Sequence, residues 1–321
     1  MKSLALSMLA IASMAAMSSC SSENDPVDEI TKIDNGKDPI AITFGQNIAI
    51  YTKAPFTEDA LATGSKIGLW ATEYTGSSAW AVTNKCDNKR LNVTGDGITF
   101  EGENVYYSKV PNTMYDFYAY APLAEEGNGL TVNAAGAGTA PTIGITLGAT
   151  PDAQTDLMYA TPLTGKTAQS EAYALVFNHA LAQVKFTIYK DANATLSSLT
   201  AISVNTKSTS TMSLTDGSFT LATGELAMTP LTSSETAVTI GSDENSKTPA
   251  GNAIMVIPEA NVIGEVTFTI DGDNYTFTPQ DVTLEKGKIT TIDVKVTATG
   301  LSFTQSVTTW EDQGNHGTGE I

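Results

Sequence analysis

Residues Pro39–Lys53 read PIAITFGQNIAIYTK. Ile40, Ile42, Phe44, Ile48 and Ile50 share one face with Gln46, and Ala41, Thr43, Gly45, Asn47, Ala49 and Tyr51 form the other. A period of two is the mark of a β-strand with one buried face. Burying a side chain of this size contributes roughly 1.5–3 kcal/mol. The strand is therefore worth on the order of 10 kcal/mol, as an upper estimate. Whole domains are stable by only about 5–15 kcal/mol. A domain that lost this strand would expose an apolar groove with unpaired edges, and would have to refill it or become unstable. An ordinary first strand that never leaves has the same pattern.

Beyond this strand the chain continues in the same style. Lys66–Thr72, Ile98–Tyr107, Tyr115–Tyr120, Ile143–Leu147, Tyr173–Tyr189, Ile202–Asn205, Ala253–Ile257, Glu265–Ile270, Asn274–Thr278 and Ile289–Val296 are rich in Thr, Val, Ile, Tyr and Phe. Gly, Asn, Asp and Pro punctuate them at short intervals. No long amphipathic helix is evident. The pattern predicts an all-β protein of sandwich type. With roughly 100–200 residues per domain, the length predicts two domains, 40–168 and 169–321. The polar segment Thr161–Glu171 is the expected boundary, and Thr131–Ala140 and Ser233–Gly251 are expected loops. Asp271-Gly272 predicts a tight hairpin turn rather than a calcium loop, since the rest of the calcium pattern is missing.

The start of the chain has the plan of an export signal. Lys2 is followed by an apolar stretch from Leu4 to Met17 and then Ser18-Ser19-Cys20. The stretch is too short for a stable membrane span. Small residues before a cysteine resemble a lipobox, in which Cys20 is acylated and becomes the new N-terminus. Signal residues 1–19 are then removed, and 20–39 form an acidic tether. An ordinary secretory signal cut near the same place is the other reading. Removing residues 1–19 loses Lys2 and no acid, leaving 16 basic residues against 35 acidic ones, a net charge of −19. That charge excludes phosphate-tracking nucleic-acid binding. With Cys20 acylated, Cys86 is the sole remaining cysteine, so no intrachain disulfide can form.

Two further segments bear on the first strand. Thr52-Lys53-Ala54-Pro55 is a polar junction in which a trypsin-like protease can cut between Lys53 and Ala54. Near the C-terminus, Gly300–Thr309 reads GLSFTQSVTT and places Leu301, Phe303, Gln305 and Val307 on one face. Ile42, Phe44, Gln46 and Ile48 have the same order and spacing. A groove shaped for one strand accepts the other by strand addition. Chance similarity in a Thr- and Val-rich β protein is the alternative.

No catalytic constellation is visible. His179 lies in an apolar strand pattern and reads as a structural histidine, and His316 sits in a Gly-rich tail without neighbouring ligands. No nucleophile elbow, zinc-protease helix or P-loop motif is present. Tyr115, Phe117, Tyr118 and Tyr120 alternate as a strand and read as core. No enzyme activity, metal or cofactor is expected.

Taken in order, several segments resemble the fimbrillin family, also called type V pilins or Mfa-like lipoproteins. They are the lipobox at Cys20, ITFGQNIAIYTKA (Ile42–Ala54), GSKIGLWA (Gly64–Ala71), NVYYSKV (Asn104–Val110) and YDFYAYAPL (Tyr115–Leu123). DLMYATP (Asp156–Pro162), LVFNHALAQVKFTIY (Leu175–Tyr189), VTLEKGKITTIDVKV (Val282–Val296) and Trp310 complete the set. The resemblance implies two tandem transthyretin-like β-sandwich domains behind the lipoprotein signal and tether. It implies export to the outer-membrane surface, removal of the first strand by a protease, and polymerisation with other pilin subunits by donor-strand addition into fimbriae that mediate adhesion. The family's cut follows arginine, whereas the matching residue here is Lys53, which points to a lysine-tolerant enzyme. The alternative function is a surface lipoprotein that does not polymerise and binds glycan or another ligand through its sandwich loops.

Overall fold

The structure, a computed structural model, describes residues 38–45, 61–81, 83–259, 262–280, 282–298 and 300–309. Its strands in chain order begin with β1 (Lys66–Tyr74), β2 (Cys86–Thr94), β3 (Gly97–Phe100), β4 (Met114–Ala121), β5 (Leu130–Asn133) and β6 (Thr142–Thr146). Next come β7 (Met158–Ala160), β8 (Leu163–Thr167), β9 (Phe177–His179), β10 (Ala182–Lys190), β11 (Ser198–Ser213) and β12 (Thr223–Leu231). The series ends with β13 (Val238–Thr239), β14 (Thr248–Pro249), β15 (Ile254–Val256), β16 (Val266–Ile270), β17 (Asp273–Phe277), β18 (Lys288–Thr297) and β19 (Gly300–Thr309). Helical turns among the described residues are confined to Pro151–Ala153 and Glu244–Ser246. The chain is all-β, with its sheets packed as sandwiches.

Three sheets organise these strands. The first runs β3-β2-β1-β4-β7-β9, with β8 also on β4. The second runs β14-β10-β18-β19, with β15 on β10, and the third runs β17-β16-β11-β6-β5, with β12 and β13 on β11. Sheet membership does not follow the division expected near residue 168. β5 and β6 come from residues before it, yet β6 pairs with β11 from Thr146↔Thr209 to Thr142↔Ser213. The expected loop 131–140 is accordingly strand at its start, where β5 completes this sheet edge.

Two apolar cores result. The larger lies between the second and third sheets, where Phe186 of β10 meets Phe268 of β16 edge-on at 5.6 Å. The smaller is lined by one face of the first sheet, including Leu69, Leu91, Tyr115, Phe117, Met158 and Phe177. β4 serves both. Tyr115 and Phe117 point into the smaller core, while Tyr118 and Tyr120 join Trp70 in the larger. Gly68 lies opposite Tyr120, and a Cβ there would stand 2.1 Å from the tyrosine ring. The hairpin at Asp271-Gly272 forms as expected, with both residues at positive φ and Ile270 paired to Asp273. The Asp271 carboxylate accepts the Ser197 and Ser198 N–H groups.

The stretch Tyr173–Tyr189 is not one strand. His179 pairs with Met158 in the first sheet, and from Ala182 the chain pairs with β15 and β18 in the second. At this crossing, His179 Nδ1 lies 2.8 Å from Oδ1 of Asp156 and 2.7 Å from Oδ2, with both side chains fully buried. Burial pushes the Asp156 carboxyl above the ordinary aspartate value, and the imidazole opposes that shift. Asp156→Ala removes this acceptor from a buried site and is expected to lower stability by about 1–3 kcal/mol. Asp156→Asn retains an oxygen acceptor and should cost less. Urea unfolding checks both, and equal, negligible losses would show that the pair does not hold the crossing.

Candidate functional site: the N-terminal segment and the sheet it closes

Residues Pro39–Gly45 enter the smaller core as an extended segment. Backbone pairing holds it on both sides. On one side the segment runs antiparallel to its neighbours, with Ala41 opposite Tyr106 and Phe44 opposite Ile98 of β3. Ile42 N–H donates to Val105 O at 2.8 Å, and Tyr107 N–H donates to Ile40 O at 2.9 Å. On the other side it runs parallel to the stretch leading into β9. Tyr173 N–H donates to Thr43 O at 3.0 Å, and Gly45 N–H donates to Tyr173 O at 2.9 Å. β3 and β9 are the two ends of the first sheet. The segment therefore bridges β3 and the stretch that leads into β9, and acts as a plug in the seam between them.

Side chains alternate as the sequence requires. Ile42 and Phe44 point inward and are 2% and 4% exposed, whereas Ile40 at the entrance is 39% exposed. The Phe44 ring meets Phe117 edge-on at 5.5 Å and Phe100 at 6.3 Å, and Tyr173 lies 5.9 Å from Phe117. Around this ring the site is apolar and uncharged. Burial pushes the phenols of Tyr107, Tyr115 and Tyr173 above the ordinary tyrosine value, that of Tyr115 to about 12. Cys86 belongs to the same core, and burial pushes its thiol up to about 12, so it stays protonated and unreactive. Of the expected first strand, Ile48 and Ile50 lie outside the described residues, as do Lys53, Ala54 and Cys20.

The C-terminal strand occupies a different place. β19 pairs antiparallel along the whole of β18, from Lys288↔Thr309 to Thr297↔Gly300, and ends the second sheet. Leu301 and Phe303 are half-buried, with Phe303 stacked on Phe277 at 4.8 Å. Gln305 is exposed and Val307 is 52% exposed. Within one chain, then, the structure does not bring β19 to the plug. The partners of the plug, Val105, Tyr107 and Tyr173, were not singled out from the sequence, because alternation identifies a strand's faces and not its neighbours. Asp156 was likewise missed as the partner of His179. Its one available signal was a lone acid directly before the apolar stretch Leu157–Ala160.

This geometry predicts unequal effects along the plug. Phe44→Ala leaves a cavity among Phe100 and Phe117 and should cost about 3–5 kcal/mol. Ile40→Ala, at the exposed entrance, should cost much less. In protein carrying Ser in place of Cys20, alkylation of Cys86 reports opening of this core, and Phe44→Ala should speed it markedly. Equal rates for Phe44→Ala and Ile40→Ala would contradict the placement of the plug.

Comparison with known proteins agrees with this architecture. No curated protein matches the chain. Solved structures with the same fold include a fimbrial protein from Bacteroides vulgatus, with a TM-score of 0.61 at 14% identity, over 85% of this chain and 99% of that one. Another is a candidate cell adhesion protein from Bacteroides uniformis, with a TM-score of 0.55 at 19% identity, over 85% and 98%. The family model described as fimbrillin-like matches residues 52–310, a span that starts beyond the plug and takes in β19. The chain belongs to the fimbrillin-like family.

Proposed function

We propose that this chain is a structural subunit of a cell-surface fimbrium, assembled by replacing its plug with a strand from a neighbouring subunit. The chain reaches the outer-membrane surface as a lipoprotein acylated on Cys20. A trypsin-like protease cuts between Lys53 and Ala54 and frees the strand that carries Ile40, Ile42, Phe44, Ile48 and Ile50. The opened seam then accepts the strand of another copy carrying Leu301, Phe303, Gln305 and Val307, and the assembled fibre mediates adhesion.

One observation carries this reading: among the described residues, the plug is the sole backbone link between β3 and the Tyr173 stretch that leads into β9. Burial of Ile42 and Phe44 alone is worth roughly 3–6 kcal/mol. Loss of the plug also strips the partners from four backbone groups that bond it. Against a whole-domain margin of about 5–15 kcal/mol, the cut chain is driven strongly to refill the seam. Two neighbours of different direction make that refilling specific to an extended strand.

Mature fibres purified from the cell surface should contain subunits that begin at Ala54. Lys53→Ala should block both the cut and polymerisation. Cys20→Ala should release the chain from the membrane fraction. Phe303→Asp should still be cut but form no oligomers, because a carboxylate would be buried without a partner. Surface fibres whose subunits retain Ile40–Ile50 within one continuous chain would overturn strand replacement, and surface protein found only as uncut monomer would favour the non-polymerising lipoprotein.

A further inference from the structure

The two edges of the seam are not alike. Towards β3 and Val105–Tyr107 the plug is antiparallel, and towards Tyr173 it is parallel. Parallel and antiparallel ladders space their donors and acceptors differently. A strand running in the direction of the plug meets the Val105 carbonyl, the Tyr107 N–H and both Tyr173 backbone groups together, as the four bonds of the plug do. A strand running the opposite way can still alternate its side chains. It would, however, face a parallel ladder where the site offers an antiparallel one, and the reverse across the seam. Its backbone groups could match one edge only at the expense of the other, and buried polar groups left unmatched are costly.

Position along the seam is set separately. Phe44 is the one described plug residue that pairs with both edges, with Ile98 on one side and Tyr173 on the other. Its ring sits against Phe100 and Phe117, and Phe117 in turn packs on Tyr173. A slip of one residue turns every inward side chain outward. A slip of two would take the aromatic ring out of this aromatic surround. In Gly300–Thr309, Phe303 is the only aromatic residue, and Leu301 precedes it by two as Ile42 precedes Phe44. In its own sheet Phe303 is only half-buried and β19 forms the sheet edge. Leaving that position would uncover only the half-buried Leu301 and Phe303 where they pack against the larger core.

We propose that the seam accepts a replacement strand in one direction only, parallel to the Tyr173 stretch, and in a register locked by an aromatic side chain between Ile98 and Tyr173. The occupant that fits is the Gly300–Thr309 strand of a second copy of this chain. The inference rests on the strand replacement proposed above and adds direction and register to it.

The test uses the full chain with Ser in place of Cys20 and a specific protease site inserted between Lys53 and Ala54. The protein is folded and then cut, so that the plug is held by non-covalent contacts alone. Fluorescent peptides are then offered: GLSFTQSVTT, the same residues in reverse order, the Phe303→Ala version, and the Pro39–Lys53 sequence as reference. The forward peptide should be retained at the seam with release of the plug. The Phe303→Ala version should bind at least about tenfold more weakly, a difference of about 1.4 kcal/mol, and the reversed peptide should not be retained. Retention of the reversed peptide as well as the forward one would overturn the direction and leave strand replacement standing. Equal binding of the Phe303→Ala version would overturn the aromatic lock. Exchange of the reference peptide without any binding of GLSFTQSVTT would overturn the C-terminal occupant. Failure of every peptide, the reference included, would remove the strand replacement on which the inference stands.

Discussion

The double pairing of Phe44 is the constraint on which the rest of the smaller core depends. A sheet end is a row of unsatisfied N–H and C=O groups, and here both ends flank one apolar interior. Phe44 pairs with Ile98 of β3 on one side and with Tyr173, ahead of β9, on the other, while its ring packs against Phe100 and Phe117. One segment thus satisfies two edges and a core together.

The two cores are joined where the chain changes sheets. The chain passes from the first sheet to the second between His179 and Ala182, and the buried Asp156–His179 pair sits at that step. Both residues lie in segments that carry the resemblance to fimbrillins, DLMYATP and LVFNHALAQVKFTIY. Their contact gives those segments a shared physical purpose, which is to fix where the chain changes sheets. β4 adds a second connection, since alternate aromatic residues along it enter different cores. β19 contrasts with all of this. It contributes a long backbone ladder but few deeply buried atoms.

Much of the fold was legible because alternation and turn chemistry act locally. The plug announced itself through strict alternation, and Asp271-Gly272 through the positive φ its turn demands. Other features were hidden for specific reasons. β11 runs for 16 residues, yet only Ile202–Asn205 stood out. Thr206, Ser208 and Ser210 occupy its buried face and interrupt the apolar signal. The continuous apolar character of Tyr173–Tyr189 masked a change of sheet, since both halves are buried. The site was half legible: its side chains were readable at Ile42 and Phe44, while its edges at Val105, Tyr107 and Tyr173 arise from pairing between distant segments.

The central claim is that the plug, and no other contact, protects the two edges of the seam. Amide hydrogen exchange measures this residue by residue, in intact protein and after the cut plug has been removed. The account predicts that the Tyr107 and Tyr173 amides are protected in the intact chain and exchange rapidly once the plug is gone. Amides between β1 and β4, such as those in the Leu69–Ala119 pairing, should stay protected in both states. Undiminished protection of Tyr107 and Tyr173 without the plug would contradict it.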